Sequence, residues 1–384
     1  MILKKSKKFD SNSNAQFLWG GNQFFENLFL AIENARHEII VQVYILKEDH
    51  TGKALLHLLY KAADRGVKVN LLLDSFGSDL SAETIQIIRE KGIVFRYFSP
   101  IINFFNFRIG RRLHHKIIVI DKELAWVGGI NFSDNYSGFG NSLPWFDFAL
   151  RIEGNEVQKI RQYCLNVLTK KIIRVNLSKP KKVAISNLLL RFTVNDRIRG
   201  LNQITTSYYN AFRQAEKEII IVASYFLPSF KLMNILKSAA KRGVKIKVYL
   251  SQNSDIQLIK NASSYLYTWF FKHKIEIEEY QPSIIHGKLA LVDGEWLTLG
   301  SYNLNHLSEY GSLEANIELY NKTFVSGLKN KIEEKFMGNT EIISIETYQK
   351  KYGFFKRIRL GFDYFLARFL MRSVFVLVDK SKGV

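Results

Sequence analysis

The feature that most constrains the fold is a pattern that the chain carries twice. Residues 37–74 (HEIIVQVYILKEDHTGKALLHLLYKAADRGVKVNLLLD) predict a strand, a helix and a second strand, and residues 217–251 (KEIIIVASYFLPSFKLMNILKSAAKRGVKIKVYLS) repeat that order. The segments AADRGVKV at 62–69 and AAKRGVKI at 239–246 each end a helix with glycine before an alternating strand. Two such β-α-β units predict an α/β protein made of two domains related by duplication.

The limits of these domains follow from the repeat. We place the first domain at residues 15–170 and the second at 184–335, with a further segment at 345–380. The lysine-rich stretch 169–183 (TKKIIRVNLSKPKKV) is the predicted crossing between them. The chain has 384 residues and 47% hydrophobic content, so it is long and apolar enough for both domains to bury a core.

Each predicted domain contains one His-Lys-Asp segment, HHKIIVID at 114–121 and HGKLALVD at 286–293. The apolar runs IIVI and LALV predict buried strands. At the same offset follow VGGIN at 127–131 and LGSYN at 299–303, whose glycines predict a turn that brings the next strand alongside.

The spacing of these segments indicates phosphoryl chemistry. Because side chains alternate along a strand, His114 shares a face with Lys116 and His286 shares a face with Lys288, whereas His115 points the other way. If the two domains face each other across a pseudo-twofold axis, the two histidines and two lysines converge on one point. The lysines then neutralise phosphate oxygens, one imidazole attacks phosphorus, and the other protonates the leaving alcohol. Such a mechanism requires no metal and no cofactor.

The aspartates and asparagines of the segments are further candidates. Asp121 and Asp293 complete the catalytic motifs, and because they lie at strand ends where a turn-forming aspartate is common, we interpret them as framework residues. Asn131 and Asn303 directly follow the glycine turns, where they can offer amide donors to the phosphate oxygens.

Two acidic residues in otherwise apolar strands are candidates for orienting the histidines. Asp147 lies 33 residues after His114, and Glu314 lies 28 residues after His286. A histidine nucleophile needs an acceptor on its second ring nitrogen, because that hydrogen bond fixes the tautomer. The alternative for both residues is a structural salt bridge, since a charge within an apolar strand requires a partner.

Net charge and cysteine content limit the partners and the compartment. The 55 Lys and Arg residues outnumber 35 acidic residues, and the net charge of +20 favours an anionic partner, either nucleic acid or an anionic membrane. The single Cys164 excludes an intrachain disulfide and favours a reducing compartment. No stretch reaches the roughly 18 apolar residues of a spanning helix, and no apolar region follows the basic N-terminus, so we expect a protein kept on the cytosolic side.

The signature HxKxxxxD followed by GGxN or GSxN resembles the phospholipase D superfamily, in which it usually occurs twice. The resemblance runs from about residue 15 to about residue 325 and is strongest to the bacterial cardiolipin synthases, through VYILKEDHTGKAL, AADRGVKVNLLLDSFGS, WFDFALRIEG and SYFLP. It implies two duplicated phospholipase D-like α/β domains in a pseudo-twofold arrangement, with the active site at their interface.

The resemblance also implies the reaction. A phosphatidyl group passes from one phosphatidylglycerol to another without a metal, giving cardiolipin and glycerol through a phosphohistidine. By the same resemblance His114 attacks, and His286 protonates the leaving group and later activates the incoming hydroxyl.

Some positions depart from the family pattern. His115 stands where many members have arginine, Leu307-Ser308 replaces the usual Arg-Ser pair, and Ser312 stands where asparagine is expected. These departures leave the acceptor alcohol open. The well-known synthases also carry N-terminal membrane helices, and we predict none here.

The C-terminal segment offers a route to lipid. Residues 350–378 interleave basic residues with an apolar set at helical spacing: Phe354, Phe355, Ile358, Phe362, Phe365, Leu366, Phe369 and Leu370. A basic helix with an aromatic face is typical of the interface of an anionic bilayer. The alternative is a helix packed on the protein core.

Two other functions stay open at this stage. One is a phosphodiesterase or nuclease of the same superfamily, and the other is a non-enzymatic protein that binds anionic membranes. The aromatic and basic tail favours lipid over nucleic acid, and two intact His-Lys-Asp sets argue against a simple binder. We therefore expect phosphatidylglycerol and an anionic phospholipid membrane as partners, with the protein peripheral on the cytoplasmic side. The choice between transfer and hydrolysis and the oligomeric state stay undetermined.

Overall fold

A computed structural model describes residues 10–99, 102–103, 106–107, 111–139, 143–169 and 188–379. Side chains are described in these ranges except at residues 102, 103, 106, 107 and 374–379. Nearly all of the predicted crossing at 169–183 lies outside the described residues.

The helices alternate with strands along the chain, as the repeat predicts. The helices are α1 (Gly20–Glu33), α2 (His50–Asp64), α3 (Ala82–Glu90), α4 (Asp134–Ser137), α5 (Asn155–Thr169), α6 (Gln203–Gln214), α7 (Phe230–Lys241), α8 (Gln257–Tyr265), α9 (Tyr267–Lys272), α10 (His306–Tyr310), α11 (Lys322–Phe336), α12 (Ile345–Lys351) and α13 (Phe354–Asp379).

The strands of the first half are β1 (Ser13–Trp19), β2 (Glu38–Val43), β3 (Lys68–Asp74), β4 (Val94–Phe98), β5 (Ile102–Asn103), β6 (Asn106–Phe107), β7 (Arg112–Leu113), β8 (Lys116–Ile120), β9 (Leu124–Gly128) and β10 (Phe148–Gly154). Those of the second half are β11 (Leu189–Asp196), β12 (Leu201–Asn202), β13 (Glu218–Val222), β14 (Lys245–Ser251), β15 (Glu276–Tyr280), β16 (Leu289–Val292), β17 (Trp296–Gly300), β18 (Ser312–Tyr320) and β19 (Thr340–Ile342).

The two main sheets have the same strand order. The first runs β1-β10-β9-β8-β2-β3-β4, and the second contains β11-β18-β17-β16-β13-β14-β15 in matching positions. In each sheet the three strands of the β-α-β side are parallel and the others are antiparallel. The second sheet is extended by β12 and β19 at its edges. This equivalence confirms the predicted α/β duplication.

The repeated RGV segments end their helices as predicted. Gly66 after α2 has φ +85° and Gly243 after α7 has φ +90°, a conformation that favours glycine. The preceding arginines, Arg65 and Arg242, donate from Nη2 to carbonyls at the end of the helix before, those of Ile32 and Ala35 in the first half and of Phe212 and Ala215 in the second. Each glycine turn thereby joins the ends of two helices before the chain enters a strand.

Among the described residues, three apolar clusters hold the layers together. One lies between the first sheet and helices α1 to α3, and a second lies between the second sheet and helices α6 to α9 together with α12 and α13. The third joins the facing sides of the two sheets and includes apolar residues of α5 and α11. The two domains therefore share a continuous buried interface.

The C-terminal segment is part of this packing. Tyr348 of α12 and Leu360 and Tyr364 of α13 are buried in the cluster of the second domain. Across the residues that are described, no helix has the combination of length and apolar character that crossing a bilayer needs.

Candidate active site

Backbone hydrogen bonds across the interface position both motif histidines. The amides of His114 and His115 both donate to the carbonyl of Leu313, each at 3.0 Å. In the equivalent place, the amides of His286 and Gly287 donate to the carbonyl of Phe146, at 2.8 and 2.9 Å. Each histidine is thus held by the residue of the opposite domain that directly precedes that domain's acidic residue.

The acidic residues consequently pair crosswise with the histidines. Nδ1 of His114 lies 3.0 and 2.9 Å from the two carboxylate oxygens of Glu314, and Nδ1 of His286 lies 2.6 Å from Oδ2 of Asp147. A carboxylate can only accept in such a contact, so each Nδ1 carries the hydrogen and each Nε2 presents its lone pair. The carboxylate of each domain therefore fixes the tautomer of the other domain's histidine.

The glycine turns GGIN and GSYN contact the two carboxylates in different ways. A Cβ atom on Gly129 would lie 2.3 Å from Oδ1 of Asp147, so only glycine fits beside that carboxylate. At the equivalent position Ser301 donates from Oγ to Glu314 at 2.5 Å. The GGIN and GSYN forms thus reflect the different acids that they contact.

The two motif lysines lie beside the histidines. Nζ of Lys116 donates to the carbonyl of His114 at 2.5 Å, and Nζ of Lys288 donates to the carbonyl of His286. Both lysines are about 2% exposed, and Lys116 also lies over the ring of Tyr44 at 5.3 Å. Two buried lysines next to two imidazoles form a cationic cluster that favours an anion.

Burial and mutual repulsion shift the pKa values of this cluster. Burial, followed by the Lys288 ammonium, lowers the pKa of Lys116 to about 7, and burial lowers the pKa of Lys288 to about 8. Burial also lowers the pKa of His114, and burial together with Lys288 lowers the pKa of His286 to about 3. Both imidazoles are therefore neutral at pH 7.

These shifts predict a pH dependence of anion binding. A bound anion favours the ammonium forms, but the empty site loses its charge as pH rises above about 7 at Lys116 and about 8 at Lys288. We expect the affinity for sulfate, whose own charge is constant in this range, to fall by about tenfold or more between pH 7 and pH 9. Isothermal titration calorimetry measures this directly. Lys116→Met should flatten the profile, and an affinity independent of pH in the native protein would contradict the shifts.

The asparagine of the first glycine turn has two defined partners. Oδ1 of Asn131 accepts from the amide of Ile45 at 3.1 Å, and its Nδ2 donates to the hydroxyl of Tyr136 at 2.8 Å. That hydroxyl in turn lies 3.3 Å from Nε2 of His286. The side-chain amide of Asn131 is therefore connected, through the hydroxyl of Tyr136, to the histidine of the other domain.

Asn303, the counterpart in the second domain, is arranged differently. Its backbone amide donates to the hydroxyl of Ser308 at 3.2 Å, and its Oδ1 is buried without a hydrogen-bond partner among the described residues. This side chain is the better placed of the two asparagines to gain a bond when a substrate binds.

The motif aspartates lie at the far end of their strands. The carboxylate of Asp121 accepts from the backbone amides of residues 36, 37 and 38 at 2.7 to 3.0 Å. The carboxylate of Asp293 accepts from the amides of residues 216, 217 and 218 at 2.8 to 2.9 Å. Both aspartates have positive φ and tie the motif strand to the start of β2 or β13, a framework position away from the imidazoles.

His115 occupies the other face of the motif strand. Its Nε2 lies 3.0 Å from Oε1 of Gln42, its ring packs edge-on against Tyr163 of α5, and the side chain has no exposed surface. Burial lowers the pKa of His115 to about 3, so it is neutral. This histidine fills the interior on the side of the strand that faces α5, opposite to His114.

Aromatic residues around the imidazoles were not predicted from the sequence. Tyr44 packs edge-on against His114 with ring centroids 5.1 Å apart, and Tyr136 and Trp145 pack against His286 at 5.1 and 5.6 Å. Tyr44 has a counterpart in Tyr225, so the shared VYIL and SYFL segments held a signal for this pair. Tyr136 and Trp145 belong to no repeated segment.

Comparison with known proteins bears on this site. A protein-family model described as "Cardiolipin synthase, PLD-like domain" matches residues 28–162 and again residues 208–336. Cardiolipin synthase B of Salmonella typhi is 36% identical over 83% of this chain and 79% of its own length. Cardiolipin synthase B of Escherichia coli K12 is 35% identical with the same coverage, and a probable cardiolipin synthase of Bacillus subtilis is 27% identical over 89% of this chain and 69% of its own length.

Solved structures agree on the fold. The phosphatidylserine synthase of Haemophilus influenzae Rd KW20 superposes with a TM-score of 0.72, covering 94% of this chain and 95% of that one at 14% identity. A polyphosphate kinase from Porphyromonas gingivalis superposes with a TM-score of 0.58 over 83% of this chain and 50% of its own, also at 14% identity. At such identities the likeness extends to the arrangement of the two duplicated domains only.

Proposed function

We propose that this chain, which belongs to the cardiolipin synthase family of phospholipase D-like proteins, transfers a phosphatidyl group from one phosphatidylglycerol to another and releases glycerol. The observation that carries the proposal is the pair of histidines, each bonded through Nδ1 to a carboxylate of the opposite domain, beside two buried lysines. Two imidazoles whose Nε2 atoms both present a lone pair suit a reaction that needs a nucleophile and an acid-base group at one phosphorus. The names of the relatives support cardiolipin as the product.

The reaction proceeds in two displacements. When the anionic phosphate binds, it favours the imidazolium form of His286, which takes up a proton from solvent at Nε2. Nε2 of His114 then attacks phosphorus, a nitrogen–phosphorus bond forms, and the bond to the glycerol oxygen breaks as that oxygen takes the proton from Nε2 of His286. The hydroxyl of a second phosphatidylglycerol then gives its proton to Nε2 of His286. Its oxygen bonds to phosphorus while the bond to His114 breaks, which regenerates both histidines.

The other site residues stabilise charge during these steps. Lys116 and Lys288 neutralise the phosphate oxygens, and the charge of the bound phosphate opposes the effect of burial, which lowers the pKa of both lysines. Asp147 stabilises the imidazolium of His286 before it protonates the leaving oxygen, since its Oδ2 accepts from Nδ1. Glu314 holds Nδ1–H of His114, so that Nε2 faces phosphorus as a lone pair.

Incubation with phosphatidylglycerol vesicles tests the function. We expect cardiolipin and glycerol in equal amounts, with the same rate in the presence of a chelator. Phosphatidic acid and glycerol in place of cardiolipin would identify a hydrolase of the same superfamily. Turnover that a chelator abolishes and magnesium restores would contradict the metal-free mechanism, and cleavage of an oligonucleotide in place of lipid would identify a nuclease.

We also propose that the protein acts as a peripheral protein on an anionic membrane, at its cytoplasmic side, and that α13 makes the contact. One face of this helix is docked on the second domain through Leu360, Tyr364 and Ala367, each at most 6% exposed. Arg368 strengthens the docking by donating to the carbonyl of Pro228 at 2.6 Å and lying over the ring of Phe230 at 4.3 Å. We therefore assign one face of α13 to packing on the protein core and the opposite face to the membrane.

The opposite face of α13 is apolar and exposed. A stripe at spacings of three and four residues, each side chain between 59% and 84% exposed, comprises Phe355, Ile358, Phe362, Phe365 and Phe369. The exposed basic residues Lys356, Arg357, Arg359 and Arg372 flank it. An apolar stripe bordered by cations matches the acyl and headgroup layers of an anionic bilayer, and the net charge of +20 adds to the attraction.

Polar substitution of the stripe tests the contact. Deletion from residue 350 onward is unsuitable because it removes the buried Tyr352, Leu360 and Tyr364. We expect the quadruple variant F355S/F362S/F365S/F369S to bind anionic vesicles at least about 100-fold more weakly, because each inserted ring contributes roughly 1.5 kcal/mol or more. Its melting temperature and its activity on short-chain phosphatidylglycerol should be almost unchanged.

A matched control alters exposed apolar residues elsewhere. Leu30 and Met337 are 60% and 77% exposed and lie outside α13. The double variant L30S/M337S should bind vesicles like the native protein in a sedimentation assay. If both variants bound equally well, the contact would have to be made by another surface.

A further inference from the structure

One side chain of the first domain reaches the reactive nitrogen of the second domain's histidine. The hydroxyl oxygen of Tyr136 lies 3.3 Å from Nε2 of His286, and the two rings pack edge-on with centroids 5.1 Å apart. Because Asp147 lies at Nδ1, the first domain provides a partner for both nitrogens of this imidazole. His114 differs, since Glu314 lies at Nδ1 but no described residue bonds to Nε2.

The direction of the bond from Tyr136 follows from its other contacts. The amide of Ile45 donates to Oδ1 of Asn131, which turns Nδ2 of Asn131 toward the tyrosine. The hydroxyl oxygen accepts from that Nδ2, so its own hydrogen is available for His286. Burial raises the pKa of Tyr136 well above 10, which keeps that hydrogen in place. Nε2 of His286 carries the lone pair, because Nδ1 donates to Asp147.

Lys288 does not compete for this lone pair. Its Nζ lies 3.1 Å from Nδ1 and 3.2 Å from Nε2 of His286. A point at these nearly equal distances within the ring plane would collide with the ring carbons, so the ammonium lies over the face of the imidazole. The in-plane direction at Nε2 is left to Tyr136 and to a substrate hydroxyl.

We infer that Tyr136 is a positioning residue that holds His286 as the neutral base from which the second displacement starts. The inference rests on the two-step function proposed above. When the incoming alcohol binds, its hydroxyl replaces that of Tyr136 as the donor to Nε2 and gives up its proton there. The alcohol oxygen forms its bond to phosphorus as the bond to His114 breaks, and Tyr136 keeps its own proton throughout.

The same arrangement separates the roles of the two histidines. A nucleophile must approach phosphorus with an unobstructed lone pair, and Nε2 of His114 has no such partner among the described residues. A base benefits from a donor that fixes its lone pair and is easily displaced by an alcohol. The hydroxyl of Tyr136, at 3.3 Å, is at the long end of hydrogen bonding and suits such an exchange.

Separating the two displacements tests the inference. A phosphatidyl substrate with a good leaving group, such as p-nitrophenol, needs no acid in the first step, whereas breakdown of the phosphatidyl-enzyme needs the base. For Tyr136→Phe we expect formation of the intermediate within about twofold of native and breakdown about tenfold slower. The phosphatidyl-enzyme should therefore accumulate, as rapid-quench sampling and intact-protein mass spectrometry would show.

Two further variants make the test specific. Asn131→Asp retains the acceptor for Ile45 but replaces the amide donor by a carboxylate oxygen, which attracts the hydrogen of Tyr136 away from His286; this variant should accumulate the intermediate as Tyr136→Phe does. Tyr225→Phe is the control, because that tyrosine lies 6.3 Å from the ring of His286 but bonds to Asp255. It should leave the ratio of the two rates unchanged.

Each outcome has a distinct meaning. The inference is supported if the phosphatidyl-enzyme accumulates in the Tyr136 and Asn131 variants but not in Tyr225→Phe. Equal slowing of both steps, an unchanged ratio, or the same accumulation in Tyr225→Phe overturns it and leaves Tyr136 as a packing residue. Asn131→Asp decides the question if Tyr136→Phe does not fold. A native enzyme that turns over phosphatidylglycerol but never forms a covalent intermediate would contradict the two-step function, and the inference with it.

Discussion

Replacing His114 by alanine should abolish the covalent phosphatidyl-enzyme and lower turnover by at least about 10⁴-fold, because the nucleophile itself is removed. The neighbouring His115 cannot substitute for it. Its Nε2 lies 3.0 Å from Oε1 of Gln42, it packs against Tyr163, and it is fully buried on the other face of the strand. The His114 variant should therefore remain unlabelled even with the most reactive phosphatidyl substrate.

Replacing His286 by alanine should give a different result. The nucleophile and its partner Glu314 remain, so a substrate with a good leaving group still forms the covalent intermediate. Breakdown then stalls because no base activates the incoming hydroxyl. Phosphatidylglycerol itself, whose glycerol oxygen needs a proton, should not react at a measurable rate.

Intact-protein mass spectrometry after a short exposure distinguishes the two variants. His115→Gln is the matched control, because glutamine can keep a hydrogen bond to Gln42, and it should label and turn over like the native enzyme after allowance for stability. If His286→Ala failed to label while His114→Ala labelled and stalled, the nucleophile and the acid-base residue would have to be exchanged.

Local patterns in the sequence were sufficient to predict the repeated parts of the fold. The β-branched runs of β2 and β13, the helices after them and the glycines at 66 and 243 predict two copies of one α/β unit. The structure adds that their sheets have the same strand order. The apolar runs of the two motifs predict buried strands, and both β8 and β16 are buried along their whole length.

The crosswise pairing of acids and histidines could not be predicted in the same way. Glu314 contacts a histidine 200 residues away and Asp147 contacts one 139 residues away, although each has a motif histidine nearer in the chain. The pairing depends on β7 joining β18 and on residue 146 bridging to residue 285. Contacts of only one or two residue pairs leave no periodic signal in the sequence.

Tyr136 and α13 were difficult to interpret for other reasons. Tyr136 lies in α4, whose counterpart α10 has Ser308 at the equivalent position, so no second copy of the tyrosine marks it as functional. In α13, apolar residues lie on two opposite faces, and the sequence alone does not show which face is docked. The structure distinguishes the two faces, because Tyr364 is buried against the second domain whereas Phe365 is 65% exposed.

The crosswise pairing predicts different effects for substitutions of Glu314 and Asp147, and pairing within each domain would exchange those effects. Glu314→Gln should slow formation of the phosphatidyl-enzyme by roughly 10²- to 10⁴-fold, because the amide no longer secures the Nδ1–H tautomer of His114. Asp147→Asn should leave labelling by a substrate with a good leaving group close to native. It should slow turnover of phosphatidylglycerol by a similar factor, because His286 loses the partner that stabilises its imidazolium.

The control for these substitutions is another buried acid on the same strand as Glu314. Glu318 is 2% exposed and accepts from Arg191 at 2.6 Å, so Glu318→Gln should lower the melting temperature without changing the ratio of labelling to turnover. If each acid instead served the histidine of its own domain, Asp147→Asn would block labelling and Glu314→Gln would spare it. Measuring the labelling and turnover rates of all three variants therefore decides whether the histidine of each domain depends on a carboxylate from the opposite domain.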